Sequence, residues 1–227
     1  MESALIVGTG TKLSASLTRL FSRKGMKTFL VARNVKKLRN LADETHSTLI
    51  QGDASDFNSV KQIFEHMDHT KVSPSVVVFN PSMRVRGPIE KLEPSEVEKS
   101  VKINVMGAFY VAQQAAARML KMGHGSILFT GATASKRGFA NSSVFAMGKF
   151  GLRGLAQSLA RELHPKNIHI GHFIIDGKIQ HKNTPSEKPV PSEIDPDSIA
   201  EAYIQFHKQP RDCWSWEIEL RPAEENF

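Results

Sequence analysis

Short, wholly apolar runs alternate along the chain with longer segments whose apolar residues recur three and four positions apart. Ala4-Leu5-Ile6-Val7 ends in Gly8, and Leu13, Leu17, Leu20 and Phe21 follow at helical spacing. An apolar run without polar alternation marks a strand buried on both faces, whereas the wider spacing marks a helix with one buried stripe. Gly25 closes that helix and Thr28-Phe29-Leu30-Val31 is the next run. Together they make a unit of about thirty residues, long enough for a βαβ crossover.

The alternation persists. Val35 to Ala42 reads as a helix, Thr48 to Gln51 as a strand, Asp56 to Met67 as a helix, and Val76-Val77-Val78-Phe79 as a central strand. Pro94-Ser95 opens a helix predicted to run unbroken to about Lys121, with Gly123 as its stop. Ser126 to Phe129 is a strand, Ser143 to Leu163 a helix and Ile168 to Ile175 a strand. Asp176 to Pro196 is rich in Pro, Ser and Lys, lacks periodicity and reads as a loop; a helix over about Asp197 to Lys208 and a strand over Trp214 to Leu220 end the chain. Repeated β and α order predicts an α/β fold, a doubly wound parallel sheet with helices on both faces, in a single domain over residues 1–227.

Composition changes this picture little. Hydrophobic residues at 40% and charged residues at 23% suit a packed core. Cys213 is the only cysteine, which excludes an internal disulfide and a Cys-rich metal site. His66 and His69 lie three apart on a helix without a carboxylate or cysteine set beside them, so no metal is expected. His169 and His172 have opposite parity on one strand and face opposite sides. A net charge of +7 raises the question of nucleic acid, but the cations are scattered and no aromatics interleave with them; neither nucleic acid nor membrane is expected as a partner. Arg19, Arg23, Lys24 and Lys27, and Lys36, Lys37 and Arg39, read as solvated helix faces. Glu2 stands where a secretory signal would carry positive charge, and no apolar run spans a bilayer, so a cytoplasmic protein is expected.

Candidate chemistry gathers in the turns after the strands. Val7-Gly8-Thr9-Gly10-Thr11-Lys12-Leu13-Ser14 follows the first strand, and its glycines suit a tight strand-to-helix turn, with or without a ligand. Val31-Ala32-Arg33-Asn34 ends the second strand with a cation and no acid; Gly52-Asp53-Ala54 follows the third and Phe79-Asn80-Pro81-Ser82 the fourth. The long helix carries Lys102-Ile103-Asn104-Val105-Met106-Gly107. Phe129-Thr130-Gly131-Ala132 ends the fifth strand, and Phe145-Ala146-Met147-Gly148-Lys149 opens the following helix.

In this order the stretches resemble the short-chain dehydrogenase/reductase family over nearly the whole chain. The resemblance implies a Rossmann-type dinucleotide-binding fold. Gly8, Gly10, Lys12 and Ser14 fall in the family's TGxxxGxG motif around the cofactor diphosphate, with only Gly8 matching a motif glycine. Arg33 in place of an acid implies NADP, its 2′-phosphate held by Arg33 with Lys12 in reach. Asp53 corresponds to the acid that hydrogen-bonds adenine and Asn80 to an asparagine of NNAG. Asn104 corresponds to the active-site asparagine, and Lys149 to the lysine of YxxxK, which also holds the nicotinamide ribose.

Phe145 stands at that tyrosine and Ala132 at the serine that orients the substrate oxygen. In the family the phenol gives its proton to the carbonyl oxygen as hydride arrives, and loss of a general acid costs about 10²- to 10⁴-fold in rate. Tyr110 and Tyr203 read as core or surface residues, and Thr133, Ser142 and Ser143 are aliphatic hydroxyls too weakly acidic to replace a phenol. An apolar pocket would depress the pKa of Lys149 and let it supply the proton, directly or through water held by Asn104. Three readings follow: an NADP(H)-type oxidoreductase with a rearranged proton relay, a non-catalytic dinucleotide-binding sensor or scaffold, and a basic module with an empty cleft. Gly148, Gly151 and Gly154 favour close helix packing, and the family's use of this helix and the one bearing Asn104 implies a homodimer or homotetramer. Family members set specificity in the segment Asp176 to Pro196, where Asp176-Gly177 replaces Pro-Gly, so the substrate is not legible.

Overall fold

The computed structural model describes residues 2–181 and 193–224. Strand β1 (Ser3–Val7) is buried along its length and pairs in parallel with β2 (Lys27–Ala32) on one side and β4 (Val76–Phe79) on the other. Beyond β2 lies β3 (Thr48–Gln51); beyond β4 lie β5 (Gly125–Thr130), β6 (Ile168–Ile175) and β7 (Glu217–Leu220). The order β3-β2-β1-β4-β5-β6-β7 is parallel throughout, with Leu5 opposite Phe29 and Val77. Alternate residues feed two cores. Leu5, Val7, Val77 and Ile127 face α3 (Phe57–His69), α5 (Gly107–Met122) and α6 (Ser143–Leu163), whereas Ala4, Ile6, Val78 and Leu128 face α1 (Leu13–Arg23), α2 (Arg39–Thr45) and α7 (Pro196–His207). Continuous apolar runs are required because both sheet faces are covered.

The order in which strands are added to the sheet reverses between β1 and β4, which opens a crevice at their carboxyl ends. The helix expected from Pro94 is interrupted: α4 (Pro94–Val101) passes through one turn of π-helix, Lys102–Met106, into α5. Gly107 follows that turn, and a Cβ there would lie 2.7 Å from the carbonyl oxygen of Ala54. The helix therefore passes the β3–α3 turn at a distance only glycine permits. A single π turn of this kind often accompanies a functional site, and Asn104 lies within it.

Other boundaries differ from expectation: the helix expected over Val35 to Ala42 is a 3-10 turn at Lys36–Leu38 leading into α2, which extends to Thr45. Trp214 precedes β7 because its indole stacks on His169, centroids 4.3 Å apart, instead of joining the sheet. Within the expected loop 176–196, Ile179 pairs with Ile194, and Asp195 caps α7 by accepting from the Asp197 amide at 2.9 Å, so the helix begins at Pro196. Residues 182–192 of that segment lie outside the described residues. His169 and His172 do face opposite sides: His169 stacks on Phe206 of α7, and His172 lies on the α6 side beside Glu217. No helix of the described residues is long and apolar enough to cross a membrane.

Candidate functional site

The carboxyl ends of β1 to β4 enclose a cleft of about 620 Å³. Gly8, Arg33, Asp53 and Asn80 line it, joined by Lys37, Met83 and Lys99. Gly8 has φ of +80°, and a Cβ on it would stand 2.7 Å from the Pro81 nitrogen, so glycine is needed both for the turn and for its close approach to the next strand end. Asn80 donates from Nδ2 to the Gly8 carbonyl at 3.3 Å and ties the same two turns. Asp53 accepts from the amide and hydroxyl of Ser55 at 2.9 and 2.7 Å, which fixes its carboxylate at the cleft wall. Lys37, expected on a solvated helix face, instead lines the cleft near Arg33.

The glycine-motif positions divide. Ser14 is buried and its Oγ accepts from the Gly10 amide at 2.7 Å, so the hydroxyl at the third glycine position already engages a donor that an anion would otherwise use. Lys12 is exposed, makes no capping hydrogen bond and does not line the cleft. Gly10 lines a smaller neighbouring groove with Lys37 and Arg19. The first turn of α1 has no side-chain cap, so its positive dipole end is available to an anion.

Lys149, Phe145 and Arg84 form the other end of the site. Lys149 is buried on α6 and donates from Nζ to the Thr130 carbonyl at 2.8 Å. Burial, then the nearby guanidinium of Arg84, lowers its pKa to about 8. The ring of Phe145 lies 5.8 Å from the Lys149 ammonium and 4.4 Å from the Arg84 guanidinium, so the benzyl group stands between the two cations. Asn104 is wholly engaged by the loop after β4: its Oδ1 accepts from the Met83 amide at 3.0 Å, and its Nδ2 donates to the Met83 carbonyl at 2.8 Å and to Ser100 at 3.0 Å. Its amide clamps backbone, with both Nδ2 protons committed to protein acceptors.

Neither tyrosine reaches this place. Tyr203 is buried on the opposite side of the sheet, stacked on Phe173 and bonded to the Thr130 hydroxyl at 2.9 Å, with burial raising its pKa. Tyr110 packs edge-on against Phe57. Thr133 donates to Asp176, which also pairs with Arg221 at 3.0 Å.

Behind Ala132 runs a buried polar chain that the sequence pattern does not reveal. Ser135 Oγ accepts from the Ala132 amide at 3.2 Å and approaches His172 Nε2 at 3.4 Å; His172 Nδ1 meets Glu217 at 2.9 Å, and Glu217 takes a two-pronged contact from Arg153 at 2.7 and 2.8 Å. Burial lowers the His172 pKa to about 4, so the ring is neutral, and the carboxylate keeps its proton on Nδ1. The Ser-His-Glu order is that of a hydrolase relay, yet Ser135 and His172 are inaccessible to solvent. The chain anchors the β5–α6 turn and attacks nothing. Arg84 also escapes a reading of strand ends, although Met83-Arg84-Val85-Arg86, two cations two residues apart directly after a strand-end turn, is a visible signal.

The sequence profile described as short chain dehydrogenase matches residues 2–182. This chain belongs to the short-chain dehydrogenase family. An uncharacterized oxidoreductase of Staphylococcus aureus (strain N315) is 23% identical over 226 residues, covering 97% of this chain and 96% of its own. The crystal structure of a short-chain dehydrogenase from Rhodopseudomonas palustris superposes with a TM-score of 0.85 at 32% identity, over 98% of this chain and 99% of the other. A metagenomic short-chain oxidoreductase crystallised in complex with NADP superposes with a TM-score of 0.85 at 21% identity, over 99% and 98%.

Proposed function

We propose that this short-chain dehydrogenase-family protein binds NADP(H), lacks the family's phenol-relayed hydride transfer, and works as a dinucleotide-dependent sensor or scaffold. The observation that carries the reading is the Phe145 ring beside Lys149, stacked under Arg84 at 4.4 Å. A benzyl group holds no exchangeable proton, and Ala132 offers no hydroxyl to orient a carbonyl. The cleft suits the adenosine end of the cofactor: Arg33 and Lys37 supply cations for the 2′-phosphate, Asp53 an acceptor for adenine, and Gly8 with the uncapped start of α1 a backbone cradle for the diphosphate. When bound, the cofactor supplies or accepts hydride. The complex of the metagenomic relative with NADP supports the same choice.

A second reading rests on Lys149. With its pKa lowered to about 8, it holds a proton at neutral pH that is easier to release than that of an ordinary lysine, and an oxidoreductase could draw on it. The arrangement in solution is proposed to be a homodimer or homotetramer joined through α5 and α6.

Thermal unfolding with NADPH and NADH tests the binding step. NADPH is expected to bind about 10- to 100-fold more tightly, the range for hydrogen bonds to a charged group, and Arg33→Ala should erase the difference. Equal shifts from the two cofactors would remove the 2′-phosphate argument, and no shift from either would leave the cleft without a dinucleotide. Turnover tests the chemistry. Wild type should reduce none of a carbonyl panel above background, whereas Ala132→Ser with Phe145→Tyr should gain about 10²- to 10⁴-fold. Wild-type turnover abolished by Lys149→Met would move the assignment to the second reading.

A further inference from the structure

The partly buried arginines Arg19, Arg118, Arg153 and Arg221 hold Glu44, Asp68, Glu217 and Asp176. Arg84 is more exposed than these and is held by an aromatic ring instead. Its guanidinium lies over the Phe145 ring at 4.4 Å, it makes no hydrogen bond or ion pair with a described residue, and its charged neighbours, Arg86 and Lys149, are both cations. One face is covered by the ring, which accounts for a pKa lowered mainly by desolvation even though the side chain reaches solvent.

The segment that carries Arg84 is held at both ends. Asn104 clamps the amide and carbonyl of Met83, Ser100 adds a bond to the same carbonyl at 3.1 Å, and the Gly87 amide donates to the Asn141 carbonyl at 3.0 Å. Arg84 is therefore aimed at Phe145 by backbone that cannot drift, and its planar fork pays little ordering entropy on meeting a ligand. Two cations, Arg84 and Lys149, flank the Phe145 ring without a counter-charge among the described residues, and Arg86 adds to the positive field at Arg84. Their mutual repulsion is relieved by an anion, and a guanidinium fork matches the two oxygens of a carboxylate. Arg84 does not line the cofactor cleft, whose own cations are Arg33, Lys37 and Lys99, so the diphosphate and 2′-phosphate have other partners.

We infer that Arg84, held on the ring of Phe145 beside Lys149, binds the carboxylate of a small organic acid at the end of the cofactor cleft. This deepens the proposed function by naming the ligand class, and it rests on that reading for the adjoining cofactor. Calorimetric titration of the NADP-loaded protein with benzoate and hexanoate, each against its amide, tests it. The acids should bind at least about 10-fold more tightly than the amides, the advantage of a charge-assisted hydrogen bond. Arg84→Gln should abolish that preference with NADP affinity unchanged, and Arg84→Lys should keep only part of it, because an ammonium cannot make the fork.

Equal binding of acid and amide, no binding of either acid, or acid binding indifferent to Arg84→Gln would each overturn the inference. So would a fall in NADP affinity in Arg84→Gln, since Arg84 would then be a cofactor residue. Inorganic phosphate displacing the acids more strongly than they bind themselves would assign the site to phosphates instead and also overturn it. Failure of NADP to bind is a separate result that removes the cofactor reading; the same titrations without cofactor then decide the role of Arg84.

Discussion

Lys149 shows how much one buried side chain can reveal. Its native pKa is about 8, and that of an exposed lysine is 10.5. Below pH 8 both the native and unfolded states hold the proton, and the native state carries the whole cost of burying the charge. Between pH 8 and 10.5 the unfolded chain binds more protons, so this residue's contribution to stability rises with pH. A shift of that size corresponds to about 3 kcal/mol. Replacing Lys149 by Met removes the cost but also the bond to Thr130, about 1 kcal/mol. Lys149→Met should therefore be more stable than wild type by about 2 kcal/mol at pH 7, with the gap nearly closed at pH 10. Chemical denaturation of both proteins at the two pH values checks this, and a gap that does not change would show that burial does not set the ionisation of Lys149. At this scale the sequence pointed to Lys149 and Phe145 through their spacing, and strand-end position pointed to Gly8, Arg33, Asp53 and Asn80. Arg84 and Ser135 stayed hidden because their roles arise from contacts with α6 and β6, distant in the chain.

Secondary elements were legible where local pattern and burial agree. Strands β1 to β6 fall where strands are expected, and α1, α3 and α6 follow their spacing. The departures have tertiary causes. The π turn at Lys102–Met106 exists because α5 must pass the Ala54 carbonyl at Gly107, and nothing in helical propensity announces that neighbour. Trp214 has strong strand propensity but gains more by stacking on His169 than by extending β7. Gly148 and Gly151 do mark close packing, since a Cβ on either would stand 3.0 Å from Asn104 or Val105. Gly154 does not, because nothing lies within 4 Å of its added Cβ. The same three-residue repeat thus contains two positions explained by the fold and one left open on its surface.

For the whole molecule, that open position belongs to a larger feature. Phe109 and Leu120 on α5, and Met147 and Phe150 on α6, are each more than two-fifths exposed, and Gly154 follows one turn after Phe150. Residues 109 and 120 are eleven apart, three helical turns, so they share the outer face of α5; residues 147, 150 and 154 share that of α6. The inner faces of these helices are already packed on the sheet and on the π turn, so the outer stripe is surplus to the fold of one chain. A second copy covering it would bury the two phenylalanines, each stabilised by about 1.5–3 kcal/mol on full burial. By two-fold symmetry, one substitution alters both halves of the interface. Sedimentation should therefore find wild type as a dimer or tetramer, and Phe150→Asp should weaken association at least about 100-fold, since each dimer then loses two buried rings and gains two charges that must be desolvated. Phe109→Asp should do the same, with the helical circular dichroism of both variants unchanged because both rings lie on the outer faces of their helices. A wild type that stays monomeric at concentrations well above those of ordinary homodimers would show that the stripe faces solvent, and an oligomer untouched by both substitutions would place the contact on another surface, with the edge strand β7 as the next to examine.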